Sequence, residues 1–459
     1  MKTKLLILPV IVALAVITGC SDDNPSGGSA DAPIAVTESE LKEAVYYTFP
    51  LMIMDATESV ETNAEMFVPG IPRAPVNQLI HAVKMADASS KSVVTPNVDT
   101  YYSRLWLDMT AEPIVLEFPD VKDRFCNVQV LDAWTNTTKL ITDGGTYIFA
   151  RKGQKVTVPS GAILVEMPTA MGWCIVRVLN NGEGDYDNVK KIQDAMKAYP
   201  LSAYGNAGYV APKGTYDAAK DVNPVMKCMA MSLEEYFAKA NSLMETNSPL
   251  SFDAEIINRL KKLGVGPGLK LKKIENGAEL FAKIKASFKA DAVAVAATYK
   301  KKMGGVWSYF TEPIGDFGKA YDFRAAVALV GLGANTNEVA IYPRADYDSN
   351  QEALNGANSY TLHFSSLPPV EKGGFWSITA YGDDDYLIDN PINRYNVTDR
   401  SEYKLNADGT LDVTLSANDP QDGSFWLPTG NKGFHLFMRM YLADLKALDT
   451  WTPPTITKK

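Results

Sequence analysis

The chain has 459 residues, of which 46% are hydrophobic and 22% charged, so it can bury the cores of two or three globular domains. A formal net charge of −9 with no basic cluster excludes the electrostatic footprint of a nucleic-acid binder and argues against adhesion to anionic lipid. Three histidines in distant segments, without HxH, HxxxH or CxxC spacing, provide no zinc-ligand pattern; no G-x-S-x-G, P-loop or G-x-G-x-x-G stretch occurs either, and no cofactor is expected.

Residues 1–19 read as a signal peptide. Lys2 and Lys4 precede an apolar run over 5–17 that is too short to span a bilayer. Ile17-Thr18-Gly19-Cys20 looks like a bacterial lipobox, which makes Cys20 the expected lipidation site. Residues 20–36 begin polar and Gly/Ser-rich, as a flexible tether does. The expected address is the bacterial cell envelope, periplasmic or surface-facing, with the N-terminal lipid as the membrane contact.

An N-terminal unit of helices and β structure is expected over 37–184. Thr37 and Glu40 form a capping box ahead of Leu41, Ala44, Val45, Thr48 and Met52 at helical spacing. Pro50 should end or kink that helix, with a second one over 51–63. Strands are predicted at 100–108, 114–118, 125–132, 146–150, 162–167 and 173–179, a spacing that suits a sandwich or barrel. Cys126 alternates in phase with Val128 and Val130, and Cys174 with Val176 and Val178, so both should be buried thiols. With Cys228 they make an odd number after Cys20, which excludes a fully paired disulfide framework.

A helical segment is expected over 185–335, with helices at 186–198, 232–246, 253–263, 278–303 and 318–332. A C-terminal β domain follows over 336–459. Its strands 360–365 and 375–381 flank a Pro/Gly-rich turn, 433–442 is its last strand, and a Pro-rich tail ends the chain. No internal repeat is visible.

Alternation also sorts the polar candidates. Tyr102, Arg104, Trp106 and Asp108 share one face of their strand, opposite Leu105 and Leu107, and Asp99 lies just before it. His435, Phe437, Arg439 and Tyr441 share a face of the last strand. Arginine among aromatics can stack on flat ligands or pair with carboxylates, and aromatic faces pack on sugar rings. Tyr102, Arg104, Trp106, Asp99, His435, Arg439 and Tyr441 are therefore the candidate ligand-binding residues. The same composition suits a face closed by an internal Arg–carboxylate pair or by another domain. Asp99, Asp108 and Asp132 are the carboxylates that an acid/base pair would draw on. Asp346, Asp348 and Asn350 alternate as an EF-hand loop begins, but Gln351 and Ala357 occupy the glycine and closing glutamate positions, leaving at most a loose calcium candidate.

Two regions resemble a pair of bacterial families, the domains of unknown function numbered 1254 and 1214. The first resemblance, over about residues 60–185, rests on Pro96-Asn97-Val98-Asp99-Thr100-Tyr101-Tyr102-Ser103, Trp106-Leu107-Asp108 and Leu131-Asp132-Ala133-Trp134-Thr135-Asn136. The second, over about 340–455, rests on Ser359-Tyr360-Thr361-Leu362-His363-Phe364, Gly374-Phe375-Trp376-Ser377, Asn393-Arg394-Tyr395, Trp426-Leu427-Pro428 and Arg439-Met440-Tyr441. Phe425 departs from the family's asparagine before Trp-Leu-Pro. The resemblance implies β-sandwich domains joined by helices in an envelope or secreted protein, and no defined reaction. The expected fold is α+β: two mainly antiparallel, jelly-roll-like β-sandwich domains joined by a helical middle segment. The expected function is binding of a small or carbohydrate ligand in an aromatic- and arginine-lined cleft. The alternatives are a hydrolase or lyase working with carboxylates in that cleft, and a self-assembling envelope protein that forms homo-oligomers.

Overall fold

The computed structural model describes residues 32–91 and 94–459; Cys20 and the signal and tether residues up to 31 lie outside them. The fold is α+β, mostly antiparallel, with two strand-rich regions separated by a helical middle segment.

The chain enters through the helix Glu38–Glu61, capped as its sequence requires: Thr37 Oγ1 accepts from Glu40 N at 3.2 Å and Glu40 Oε2 accepts from Thr37 N at 2.9 Å. The helix continues past Pro50 to Glu61 as one element, so it does not end there and no separate second helix begins at 51. Pro50 leaves the Tyr46 carbonyl without a helical donor. That loss is offset because the segment from Leu41 to Ala56 is buried on nearly all sides by other helices and a sheet.

Each sandwich pairs a large sheet with a four-stranded one. In the first, the large sheet has the order Leu79–His81, Thr100–Asp108, Met171–Leu179, Cys126–Asp132, Thr137–Ile141. Its partner has the order Ile163–Met167, Gly145–Arg151, Ile114–Phe118, Lys197–Pro200. Leu105, Leu107, Val128, Val130, Cys174 and Val176 fill the space between them, against Leu116, Phe118 and Phe149. In the second sandwich, Trp376, Ile378, Leu436, Met438 and Met440 of the large sheet meet Leu362, Phe364, Val413, Leu415 and Ile456 of the small one.

The two sandwiches share one topology, strand for strand. In the second large sheet, Ala340–Ile341 and Arg344–Ala345 flank Phe434–Ala443, which pairs with Val370–Gly382 and then Asn396–Thr398. The first follows the same path, Thr100–Asp108 to Met171–Leu179 to Cys126–Asp132 to Thr137–Ile141. The small sheets match too: Phe425–Pro428, Leu411–Ser416, Tyr360–Phe364, Thr455–Lys458, with the parallel pair at the same end. Taken in chain order, every strand of the first has its counterpart in the second, which adds Lys300–Gly304 at the edge of its large sheet. No repeat shows in the sequence because the shared feature is hydrogen-bond topology, which many apolar alternations satisfy.

Several expectations are corrected. The strands Tyr360–Phe364 and Val370–Gly382 belong to opposite sheets, so the Pro/Gly-rich turn between them crosses the sandwich, and the second begins earlier than 375. The Pro-rich tail ends in the strand Thr455–Lys458, paired with Tyr360–Phe364. The helix predicted over 278–303 stops at Thr298, and Lys300–Gly304 forms a strand with Trp307–Phe310; the β pairing overrides a lysine-rich helical pattern. The helix predicted over 186–198 stops at Ala195, because Lys197–Pro200 pairs with Ile114–Phe118. The helix Pro224–Ala230 and the strands Leu79–His81 and Thr137–Ile141 had no strong pattern to announce them.

Cys126, Cys174 and Cys228 are buried and free, as expected of the first two. No helix of the described residues is long and apolar enough to cross a membrane.

Candidate functional site

The outer faces of the two large sheets meet. Along the first, Tyr102, Arg177 and Asn127 stand directly opposite one another on three adjacent strands, and so on one face. Along the second, Ser377 stands opposite Arg439, and the pairs Ile341↔Met440 and Arg344↔Phe437 put Tyr342 opposite Arg439 on its other side. Setting Arg177 against Arg439 on the matching strands sets Tyr102 against Tyr342 and Asn127 against Ser377. Phe125 and Phe375 also correspond, and their rings touch edge-on at 5.5 Å. Two equivalent Tyr–Arg half-sites thus face each other across the seam.

Each guanidinium is buried, Arg177 at 4% and Arg439 at 3% exposure, and each is held by neutral oxygens. Arg177 donates to Gln129 Oε1 (2.9 Å), Asn335 Oδ1 (3.1 Å) and Gly333 O (3.2 Å). Arg439 donates to Thr379 Oγ1 (3.2 Å), Tyr381 Oη (2.8 Å) and Thr95 O (2.8 Å). Gln129 and Thr379 occupy corresponding positions. Among the described residues, no carboxylate lies within ion-pair distance of either cation, and Arg177 Nε and both side-chain polar atoms of Asn127 have no partner. The expected internal carboxylate for Arg439 is therefore not there.

Asn97 ties the halves together. Its Nδ2 donates to Tyr102 Oη (3.2 Å), Tyr441 Oη (3.1 Å) and Thr100 Oγ1 (3.1 Å). Tyr441 stacks on Phe375 at 4.5 Å and meets Phe125 edge-on. Asp99 accepts from Ser377 Oγ (2.6 Å), Asn396 Nδ2 (2.9 Å) and Arg400 Nη2 (3.5 Å). Above Arg439 the segment 94–97 passes as a strap. Thr95 holds φ at +45°, a region a β-branched residue rarely adopts, while its carbonyl meets Arg439 and Pro96 O accepts from Tyr381 Oη at 2.6 Å.

Electrostatics follow from this packing. Burial works to raise the Tyr102 phenol, but the Arg177 charge and the Asn97 hydrogen bond outweigh it, and the phenol ionises more readily than a free one. Burial raises Tyr441 well above the ordinary phenol range, with Tyr342 and Tyr102 adding to it. Burial works against the Arg439 cation, yet Tyr381, Asp99 and Tyr441 hold it firmly protonated.

Of the seven sequence candidates, Asp99, Tyr102, Arg439 and Tyr441 gather at this seam. Arg104 and Trp106 do not: both serve Glu61 of the first helix, Trp106 Nε1 donating to Glu61 Oε2 at 2.8 Å, and Trp106 stacks on Trp173 at 4.6 Å. His435 stacks on Tyr381 at 5.6 Å near Asp385, and burial with the Arg344 charge pushes it down to about 4. The expected cleft is a buried seam, in which the first sandwich covers the aromatic face of the second. Sequence reasoning passed over Asn97, Asn127 and Arg177, although Arg177 is the one charge in an apolar strand.

The carboxylates do not pair. Asp99 and Asp108 sit at opposite ends of one strand, about 30 Å apart at its rise per residue. Asp132 is spent on Trp134 N and Asn136 N, both at 2.9 Å, and burial raises it to about 6. In the loose calcium candidate, Asp346 pairs with Arg344 at 2.8 Å, and Asp348 Oδ1 accepts from Asn350 N and Glu352 N. Near Phe425, the Arg394 guanidinium lies 4.5 Å over the ring and donates to Trp426 O, beside an open groove of about 440 Å³.

Two sandwiches of matching topology that bury a shared arginine–tyrosine seam, with a helical segment between them in the chain, define an α+β protein. Residues 76–200, in the first sandwich, match the DUF1254 family and residues 339–445, in the second, match the DUF1214 family, both described as proteins of unknown function. The crystal structure of the VPA0106 protein from Vibrio parahaemolyticus is similar over 92% of this chain and 99% of its own, with a TM-score of 0.67 at 22% identity, and so shares the fold. An uncharacterized protein from Burkholderia cenocepacia aligns over 91% and 88% at 13% identity with a TM-score of 0.42. No curated protein matches the chain.

Proposed function

We propose that the seam between the sandwiches binds a small anionic ligand, an acidic sugar or another carboxylate, through Arg177 and Arg439. The observation that carries this reading is two buried guanidiniums that the chain itself provides only with neutral oxygens. A buried cation without a counter-charge costs several kcal/mol, and a carboxylate offers the paired geometry that a guanidinium takes best. The strained strap at Thr95 supports it: a ligand oxygen replacing Thr95 O would relieve that backbone. Thermal shift against a panel of mono- and dicarboxylates and uronic acids tests it. A ligand at 100 times its Kd stabilises by about 2.7 kcal/mol; Arg177→Met and Arg439→Met should each reduce that shift, and the double variant should abolish it. No shift with any acid, or a shift that survives both substitutions, overturns it.

A catalytic variant is favoured by Tyr102, a phenol made more acidic beside a carboxylate-seeking arginine. Such a pair suits a lyase, with arginine neutralising a carboxylate and tyrosine removing the adjacent proton. Tyr102→Phe should then retain the ligand shift and lose turnover of any uronate-containing polymer that the wild type cleaves.

We further propose that the protein is a lipoprotein of the cell envelope, held through Cys20, on the strength of Ile17-Thr18-Gly19-Cys20. Cys20→Ser should move the chain from the membrane fraction to the soluble one.

A further inference from the structure

The correspondence between the half-sites carries the anion reading further. Arg177 and Arg439 lie on equivalent strands, opposite Asn127 and Ser377 at equivalent positions, with Tyr102 and Tyr342 equivalent on the other side. Each guanidinium is bonded within its own sandwich at the same place, Gln129 or Thr379. Each is then closed over by a segment that leads into a strand of the other sandwich: Gly333 and Asn335, ahead of Ala340–Ile341, over Arg177, and Thr95, ahead of Thr100–Asp108, over Arg439.

The two half-sites are also near each other. Tyr102 Oη and Tyr441 Oη share the single donor Asn97 Nδ2, at 3.2 and 3.1 Å. The charge of Arg177 and that of Arg439 both act on each of these two phenols.

We propose that the ligand is a compact dianion, a dicarboxylate that spans the seam with one carboxylate on each arginine. This rests on the anion-binding reading above and adds that one ligand engages both half-sites. Neither guanidinium has a carboxylate within ion-pair distance, and Asp99 acts on Arg439 only from further off, so a ligand with two negative charges compensates the pair better than a monoanion. A ligand held at both ends by two sandwiches also binds with the second contact made intramolecular, which multiplies affinity.

The experiment compares succinate with butyrate on the full-length protein at matched ionic strength, read by calorimetry. Succinate should bind at least about tenfold more tightly than butyrate, and both Arg177→Met and Arg439→Met should reduce succinate to the butyrate level. Circular dichroism of each variant establishes that it is folded. If succinate and butyrate bind alike and both need the arginines, the dianion proposal is wrong and the anion site stands. If longer dicarboxylates bind and succinate does not, the compact span is wrong. If no carboxylate binds at all, both readings fall together.

Discussion

Ser377 donates its hydroxyl to the Asp99 carboxylate across 2.6 Å, joining residues 278 apart in sequence and belonging to different sandwiches. Asn396 and Arg400 of the second sandwich converge on the same carboxylate. Asp99 is therefore the polar rivet of the seam. Asp99→Ala should cost on the order of 3 kcal/mol, because it strands three buried or half-buried donors, while Asp99→Asn should cost less. Urea melts measure it; a loss under about 1 kcal/mol for the alanine variant would show that the seam does not depend on this carboxylate.

Arg439 behaves differently, since its three partners are neutral. Arg439→Met fills similar space and removes the desolvated charge, so stability should stay within about 1 kcal/mol of wild type or rise. Loss of the 3–5 kcal/mol typical of a broken buried ion pair would mean that the neutral bonds matter more than the charge costs.

His435 titrates in a direction set by its burial. Its folded value near 4 lies below the ordinary 6.5, so the unfolded chain takes up the proton first. Its contribution to stability is complete above about pH 6.5 and is lost as pH falls towards 4, amounting to roughly 3 kcal/mol. His435→Phe should flatten the stability profile in that window, and with three histidines in the chain the imidazole resonances can be followed by NMR. A His435 midpoint near 6.5 in the native protein contradicts the argument.

The three described cysteines should resist labelling. Burial pushes the Cys126 and Cys228 thiols up to about 12 and raises Cys174 as well, so neither access nor thiolate is available at neutral pH. Native protein should label slowly with a maleimide and the urea-unfolded protein at once; fast native labelling of any of the three sites rejects their placement.

The sequence by itself determined the local elements. The capping box at Thr37, the strand Thr100–Asp108 and the inward phase of Val128, Val176, Ile378 and Met438 follow from side-chain chemistry and a period of two, which need no partner to be read. The same alternation put Tyr102 on one face of its strand and Arg439 with Tyr441 on one face of another. Tertiary structure decided what those faces meet. Pro50 stays helical because the surrounding layers bury the helix, and Lys197–Pro200 and Thr455–Lys458 are strands because an edge was open to pair with them. It also decided that Arg104 answers to Glu61 while Arg177, unnoticed in an apolar run, stands as the counterpart of Arg439. Which strand lies beside which is a matter of long-range hydrogen bonding between segments up to about a hundred residues apart, and period and propensity carry no record of that choice.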